Sequence, residues 1–124
     1  MTENPWHKQR AHYAGTSVGE KWWKRYRTGG FLARGLGEMQ LTEEGIWFLR
    51  KLTKKPLIVP WEKIRKLSYG TWHAGQWAGG APVLKVHWEE EGRELISGYV
   101  LTKDNEKLAR WALEIEKRAG IREP

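Results

Sequence analysis

The sequence predicts a mainly β (α+β) domain in which a series of short strands is closed by one C-terminal helix, and three observations carry that prediction. Between Gly37 and Arg50 two short apolar runs flank a polar turn, and a third run, Leu57-Ile58-Val59, leads into a Pro60-Trp61-x-x-Ile64 step. Two further apolar runs, Val83 to Trp88 and Leu95 to Leu101, flank the polar turn Glu89-Glu90-Glu91-Gly92. After them Leu108, Trp111, Ala112, Ile115 and Ala119 fall at i, i+3, i+4, i+7 and i+11, the stripe of an amphipathic helix.

Residues 1–16 show no period and read as a loosely held arm. Ser17 with Glu20 three residues on makes a capping-box pattern. Trp22, Trp23 and Tyr26 then share one face of a short helix over 18–27, whose other face is basic through Lys21, Lys24, Arg25 and Arg27. Thr28-Gly29-Gly30 stops it. Phe31 to Arg34 reads as a short strand broken by Gly35 and Gly37, and Met39 and Leu41 alternate with polar neighbours in a half-buried strand. Thr42-Glu43-Glu44-Gly45 is a turn with glycine where positive φ is expected. Ile46 to Leu49 is apolar on both faces, as a central strand requires. Lys51 to Pro56 is a basic connection, and Pro60 ends the next strand because it cannot donate to a ladder. Ile64, Leu67 and Tyr69 continue after the corner. Residues 70–82 combine four glycines with Trp72 and Trp77. Asp104 or Thr102 caps the closing helix over 104–119, Lys117 and Arg118 suit its last turn, and Gly120 ends it.

A chain of 124 residues is one domain, large enough to bury a core without metals or disulfides, and it contains no cysteine. No apolar run approaches the ~18 residues that span a bilayer, and the first eight residues lack the apolar block of a signal peptide. The reading is cytoplasmic, at most peripheral at a membrane. The net charge of +7 is uneven, with fourteen Lys/Arg against six Glu in residues 1–66 and eight against nine acids in the remainder. Such asymmetry points to an acidic partner, although solubility alone also explains a basic surface. Nine tryptophans exceed what a small core uses, so several belong to a surface, an interface or a pocket.

Plainer roles outweigh chemistry for most of the reactive residues. His7, His12, His73 and His87 have no acidic or cysteine partner at ligand spacing, so no metal is expected. Ser17, Ser68 and Ser97 lie outside any nucleophile-elbow context, the glycine pairs 29–30 and 79–80 lack the Gly-Lys-Ser/Thr of a phosphate loop, and Glu89 to Glu91 suit a solvated turn. Neither enzyme activity nor a cofactor is expected. The candidate anion-binding residues are Lys24, Arg25 and Arg27 on the expected helix and Arg50, Lys51, Lys54 and Lys55 at the connection. Trp72, His73 and Trp77 form a candidate contact surface, because glycines supply mobility and rings supply contact area. A protein partner or an anionic lipid surface fits these residues. Single-stranded nucleic acid, suggested by aromatics interleaved with Lys and Arg, is an alternative, as is homo-oligomerisation.

The strand series, the Glu43-Glu44-Gly45 turn, the Leu57-to-Ile64 step and a closing helix with a central Trp resemble the pleckstrin-homology-like superfamily, particularly its bacterial and GRAM members. The likeness covers residues 31–119. It implies a strongly bent antiparallel barrel of about seven strands, with Trp111 as the helix residue entering it, and a non-catalytic binding module as the function. It also implies a division into residues 1–29, an arm with a short basic aromatic helix, and residues 30–124, the domain. Phosphoinositide-binding members place Lys and Arg around the loop joining the first two strands. Taking that loop as Ala33 to Gly37 or Thr42 to Gly45 gives one Arg or two acids, so no headgroup site carries over.

Overall fold

The computed structural model describes residues 6, 8–18, 21–25, 35–70, 72–73, 76–77 and 82–121. Ten strands appear in chain order: β1 (Gln9–Val18), β2 (Lys21–Arg25), β3 (Gly35–Leu41), β4 (Gly45–Arg50), β5 (Leu57–Pro60), β6 (Ile64–Gly70), β7 (Trp72–His73), β8 (Gln76–Trp77), β9 (Val83–Glu90) and β10 (Arg93–Val100). A 3-10 turn, Trp61–Lys63, joins β5 to β6, and helix α1 spans Asn105–Ala119. Seven strands form one antiparallel path in the order β5-β4-β3-β1-β10-β9-β6, β2 pairs with β1 beside that path, and β7 pairs with β8 alone.

The sheet has to bend because its two edges, β5 and β6, are joined by three residues. Laid flat, seven strands at ~4.8 Å spacing would hold those edges ~29 Å apart, whereas three residues reach ~10 Å. Curling nearly into a barrel is the solution, and the apolar faces then enclose one core. Tyr13, Phe48 and Tyr99 meet at its centre, with ring centroids 5.4 Å apart for Tyr13–Phe48 and for Tyr13–Tyr99. Two glycines permit this curvature by close approach. A Cβ at Gly45 would lie 2.0 Å from the Val59 carbonyl oxygen, and one at Gly37 2.2 Å from that of Leu49. Gly45 is therefore needed for space and not for the positive φ expected of it, since the left-handed glycines among the described residues are Gly15, Gly35, Gly92 and Gly120.

The closing helix is capped as its sequence requires. The Asp104 side chain accepts from the backbone N–H groups of Glu106 and Lys107, and Gly120 takes the left-handed conformation at the C-cap. Its apolar stripe packs on β6 and the 3-10 turn, burying Leu108, Trp111, Ala112 and Ile115. Trp111 is 2 % exposed and meets the edge of Trp6 at 5.2 Å. Trp6 is itself held by its carbonyl oxygen, which accepts from Leu41 N–H at 2.8 Å. Trp61 donates from Nε1 to the Thr42 carbonyl at 2.8 Å, and the Arg118 guanidinium lies over its ring at 5.9 Å.

The N-terminal expectations are corrected. The arm over 1–16 is, from Gln9 on, a strand in the middle of the sheet, paired with β3 on one side and β10 on the other. In place of the helix expected over 18–27, the described residues are extended: Val18 ends β1 and Lys21–Arg25 form β2, with Arg25 opposite Ser17. A short chain bearing adjacent tryptophans gains more from pairing with an open stretch of β1 than from an isolated turn of helix. Gly35 and Gly37 lie within β3 and do not break it. The strand expected over Phe31 to Arg34 lies outside the described residues.

Candidate functional site

Alternation along β1, β3, β4 and β5 fixes where the basic residues go. The connection leaving β1 and the one leaving β4 emerge at one end of the sheet, and the Thr42-to-Gly45 turn lies at the other. Arg50 ends β4 opposite Gly37. Its side chain runs along Gly35, where a Cβ would lie 3.0 Å from the Arg50 Cδ. Lys51 N–H donates to the Leu36 carbonyl at 2.9 Å, which ties the connection to the start of β3. Lys51, Lys54 and Lys55 are exposed.

The remaining charges sharpen the contrast. Among the described residues Lys63 pairs with Glu90, Arg65 with Glu89 at 3.5 Å and Arg118 with Glu114 at 2.8 Å. Two cations near the β9–β10 turn and one on the helix are thus matched by carboxylates, while among the described residues no such pair involves Lys51, Lys54 or Lys55. Positive potential concentrates at the β4–β5 connection.

Relocating the first strand also relocates the first loop. The connection between the first two strands of the main path, β1 and β3, is residues 19–34, and it carries Lys21, Lys24, Arg25, Arg27 and Arg34. Lys24 and Arg25 lie on β2, at the end of the sheet where β1 finishes. Arg27 lies outside the described residues. The acidic or nearly neutral segments taken for that loop from sequence are instead the start of β3 and the β3–β4 turn, so the first loop is basic after all.

Trp72, His73 and Trp77 go elsewhere. They belong to the β7–β8 hairpin, with Trp72 opposite Trp77 and His73 opposite Gln76. This hairpin rests against β1 and β9, strands separated from β4 and β5 by the intervening path. The two candidate surfaces expected from sequence are therefore distinct places on the molecule.

Two polar constellations had no signal in the sequence. Inside the barrel Thr16 Oγ1 and Ser97 Oγ are 2.6 Å apart, Trp88 Nε1 donates to Ser97 Oγ at 2.9 Å, and the Tyr13 hydroxyl bonds to Thr16. Burial pushes the Tyr13 phenol up to about 12, against the lowering effect of Thr16 and Ser97. It raises Tyr99 well above the ordinary tyrosine value too, with the neighbouring Tyr13 adding to the effect. On the other face of the sheet Ser68 Oγ lies 2.7 Å from His87 Nε2, and Glu94 Oε2 lies 3.5 Å from His87 Nδ1. Serine, imidazole and carboxylate stand here in the order of a hydrolytic triad. Ser68, however, sits inside strand β6 and not on the sharp turn that exposes a nucleophile, and His87 is 2 % exposed. These contacts hold a buried imidazole between side chains from three strands. Among the described residues no three His, Cys, Asp or Glu side chains are grouped to hold a metal ion.

Among the described residues no helix is long and apolar enough to cross a membrane. The family described as bacterial PH domain-like matches residues 2–116, a span that includes β1 and β2 and nearly all of α1. No curated protein matches the chain.

Proposed function

The chain belongs to the bacterial PH domain-like family, and we propose that it is a non-catalytic binding module whose basic end meets an acidic surface. Anionic lipid and an acidic protein both fit that chemistry. The observation that carries this reading is the clustering of the exposed trio Lys51, Lys54 and Lys55 in the single β4–β5 connection, with no acidic residue in that connection. Lys24 and Arg25, on β2 within the β1–β3 connection, add to the same end, and the Arg50 side chain lies along Gly35 at the base of the turn. The loop between the first two strands is also where phosphoinositide-binding members of the superfamily carry their cations. The Ser68–His87–Glu94 contact is read as structural.

Each Lys or Arg near an anionic bilayer contributes ~1 kcal/mol, so three to six of them give weak, reversible attachment. The test is co-sedimentation with anionic and neutral vesicles across a salt series, repeated with Lys51, Lys54 and Lys55 changed to Glu. Binding to anionic vesicles that fades with salt and is lost in the triple variant is the expected result. A wild type that ignores anionic vesicles at low salt removes lipid and leaves an acidic protein. A triple variant that binds as well as the wild type reduces the lysines to a solvated face.

A second reading places a protein contact on the β7–β8 hairpin, supported by Trp72 and Trp77 standing opposite each other in a glycine-rich segment. Changing both to Ala should then abolish partner capture and leave vesicle binding intact.

A further inference from the structure

Leu52 stands at the tip of the β4–β5 connection with its side chain wholly in solvent, at 105 % of reference exposure. It is also one of three non-glycine residues with positive φ among those described, at 66°. The turn that holds it is closed by Thr53 N–H donating to the Arg50 carbonyl at 3.2 Å and by the Thr53 hydroxyl donating to the same oxygen at 2.6 Å. Leu52 is the third residue of that turn, and positive φ at the third position alone defines the type that calls for glycine or asparagine. A γ-branched apolar residue is therefore placed where backbone and solvent both disfavour it. Neither penalty is offset by any contact the side chain makes in the monomer, and such residues mark sites whose advantage lies outside the folded chain.

The surroundings say what that outside environment is. Lys51 precedes Leu52, and Lys54 and Lys55 follow within three residues, all exposed. Leu36, whose carbonyl oxygen anchors the base of the turn, is 38 % exposed, so two of the four exposed large apolar residues among those described lie at this end. The stem is fixed by Arg50 along Gly35 and by the Lys51–Leu36 hydrogen bond, and the tip projects from it. A lone apolar residue on a convex, lysine-ringed tip offers a protein partner little area and needs a matching concave pocket. A fluid anionic bilayer needs no such pocket. It accepts the leucine at the boundary of headgroups and acyl chains while the lysines, with long flexible stems, stay among the headgroups.

We propose that Leu52 is a membrane-inserting tip, which enters an anionic bilayer while Lys51, Lys54 and Lys55 hold the turn at its surface. The proposal rests on the reading that this basic end meets an acidic surface, and it names the surface as lipid. One apolar residue with a few cations is a two-signal, reversible anchor, so removing the side chain should weaken binding about tenfold and not abolish it.

The chain has no cysteine, so a single introduced thiol can be labelled uniquely. Leu52→Cys and, as a control on the exposed face of α1, Leu113→Cys carry an environment-sensitive nitrobenzoxadiazole probe. They are titrated with vesicles of phosphatidylglycerol and phosphatidylethanolamine, and with phosphatidylcholine alone. The expected result is a blue shift at position 52 and none at 113, on anionic vesicles only. Leu52→Gly should bind those vesicles about tenfold more weakly while unfolding at the same or a higher temperature, because glycine suits the turn. If the wild type sediments with anionic vesicles but the probe at 52 stays water-like, or Leu52→Gly binds as well, the insertion is overturned and the electrostatic reading stands. If the wild type does not bind anionic vesicles at low salt, the insertion is overturned and the basic end is left to an acidic protein.

Discussion

Trp111→Ala tests the architecture most directly, because Trp111 is the largest of the four side chains that α1 buries against the bent sheet. Trp111 is 2 % exposed and belongs to the core shared with Met39, Ile46 and Leu84. Truncating a buried Trp to Ala costs ~3–5 kcal/mol through lost burial and the cavity left behind. The edge-on contact with Trp6 at 5.2 Å and an interplanar angle of 88° adds ~0.5–1.5 kcal/mol that is shared with its partner. Against a total stability of ~5–15 kcal/mol, that is a large share of what keeps the domain folded. With a urea dependence of ~2 kcal/mol per molar, the midpoint should fall by about 2 M. Far-ultraviolet circular dichroism is the appropriate readout, since tryptophan fluorescence is altered by the substitution itself. A double-mutant cycle with Trp6→Ala should return a coupling of ~1 kcal/mol. An unchanged midpoint for Trp111→Ala would refute the closure of the barrel by this residue. Strict additivity would refute only the Trp6 contact.

Two further predictions concern stability. Gly45→Ala should cost about 3 kcal/mol or more, because the new Cβ would lie 2.0 Å from backbone that cannot swing away. Gly92→Ala, where nothing lies within 4 Å but φ is 77°, should cost only ~1 kcal/mol; equal denaturation midpoints for the two would contradict the close-approach account. The protein should also lose stability in alkali. The Tyr13 phenol is raised from 10.0 to about 12, so its contribution is complete below pH ~10 and is lost as pH rises towards ~12, amounting to ~3 kcal/mol at 1.36 kcal/mol per unit. Phenolate absorbance should show Tyr13 and Tyr99 ionising together with the loss of circular dichroism, and early ionisation of all tyrosines in the folded protein would refute this.

The part of the fold that is legible in the sequence is the part whose periodicity is uninterrupted. The strand pairs from Met39 to Val59 and from Val83 to Leu101, the Pro60 corner and the helix with Asp104 and Gly120 as caps stand where their patterns put them. Strand β1 escapes because its pattern is broken from within. Ala11 and Tyr13 face the core, but the pairing shifts between Tyr13 and Gly15, and after the shift it is Thr16 that faces the core beside Ser97. An alternation search meets a change of phase followed by buried hydroxyls and finds no strand. Their burial is possible because Tyr13, Thr16, Ser97 and Trp88 satisfy one another across 81 positions of sequence. β2 misleads for the opposite reason. Ser17 and Glu20 imitate a capping box, and Trp22, Trp23 and Tyr26 imitate a helical face, so the local pattern points to a helix where pairing with β1 decides the outcome.

The same displacement explains why the binding end is only half visible in the residues. Without the first strand, the loop between the first two strands falls too late in the chain, among glycines and glutamates, and the cations of residues 19–34 pass to a helix. Lys51, Lys54 and Lys55 stand out by composition alone, yet Leu52 between them carries no weight, because one apolar residue in a connection is ordinary. Its meaning depends on φ and on exposure, which no residue pattern encodes. Once β1 is restored, the lysines of the β4–β5 connection and the basic β1–β3 connection leave the sheet at the same end. Glu90, Glu89 and Glu94, at and beside the β9–β10 turn, contact Lys63, Arg65 and His87. The β9–β10 turn leaves the sheet at that end as well, because Leu95 stands opposite Val18 where β1 finishes. Cross-strand pairing of Glu89 and Glu90 with β6 and the 3-10 turn, and not topology, therefore keeps those glutamates from the lysines. On the proposed reading, the lysines beside Leu52 are what would steer an acidic surface to that connection.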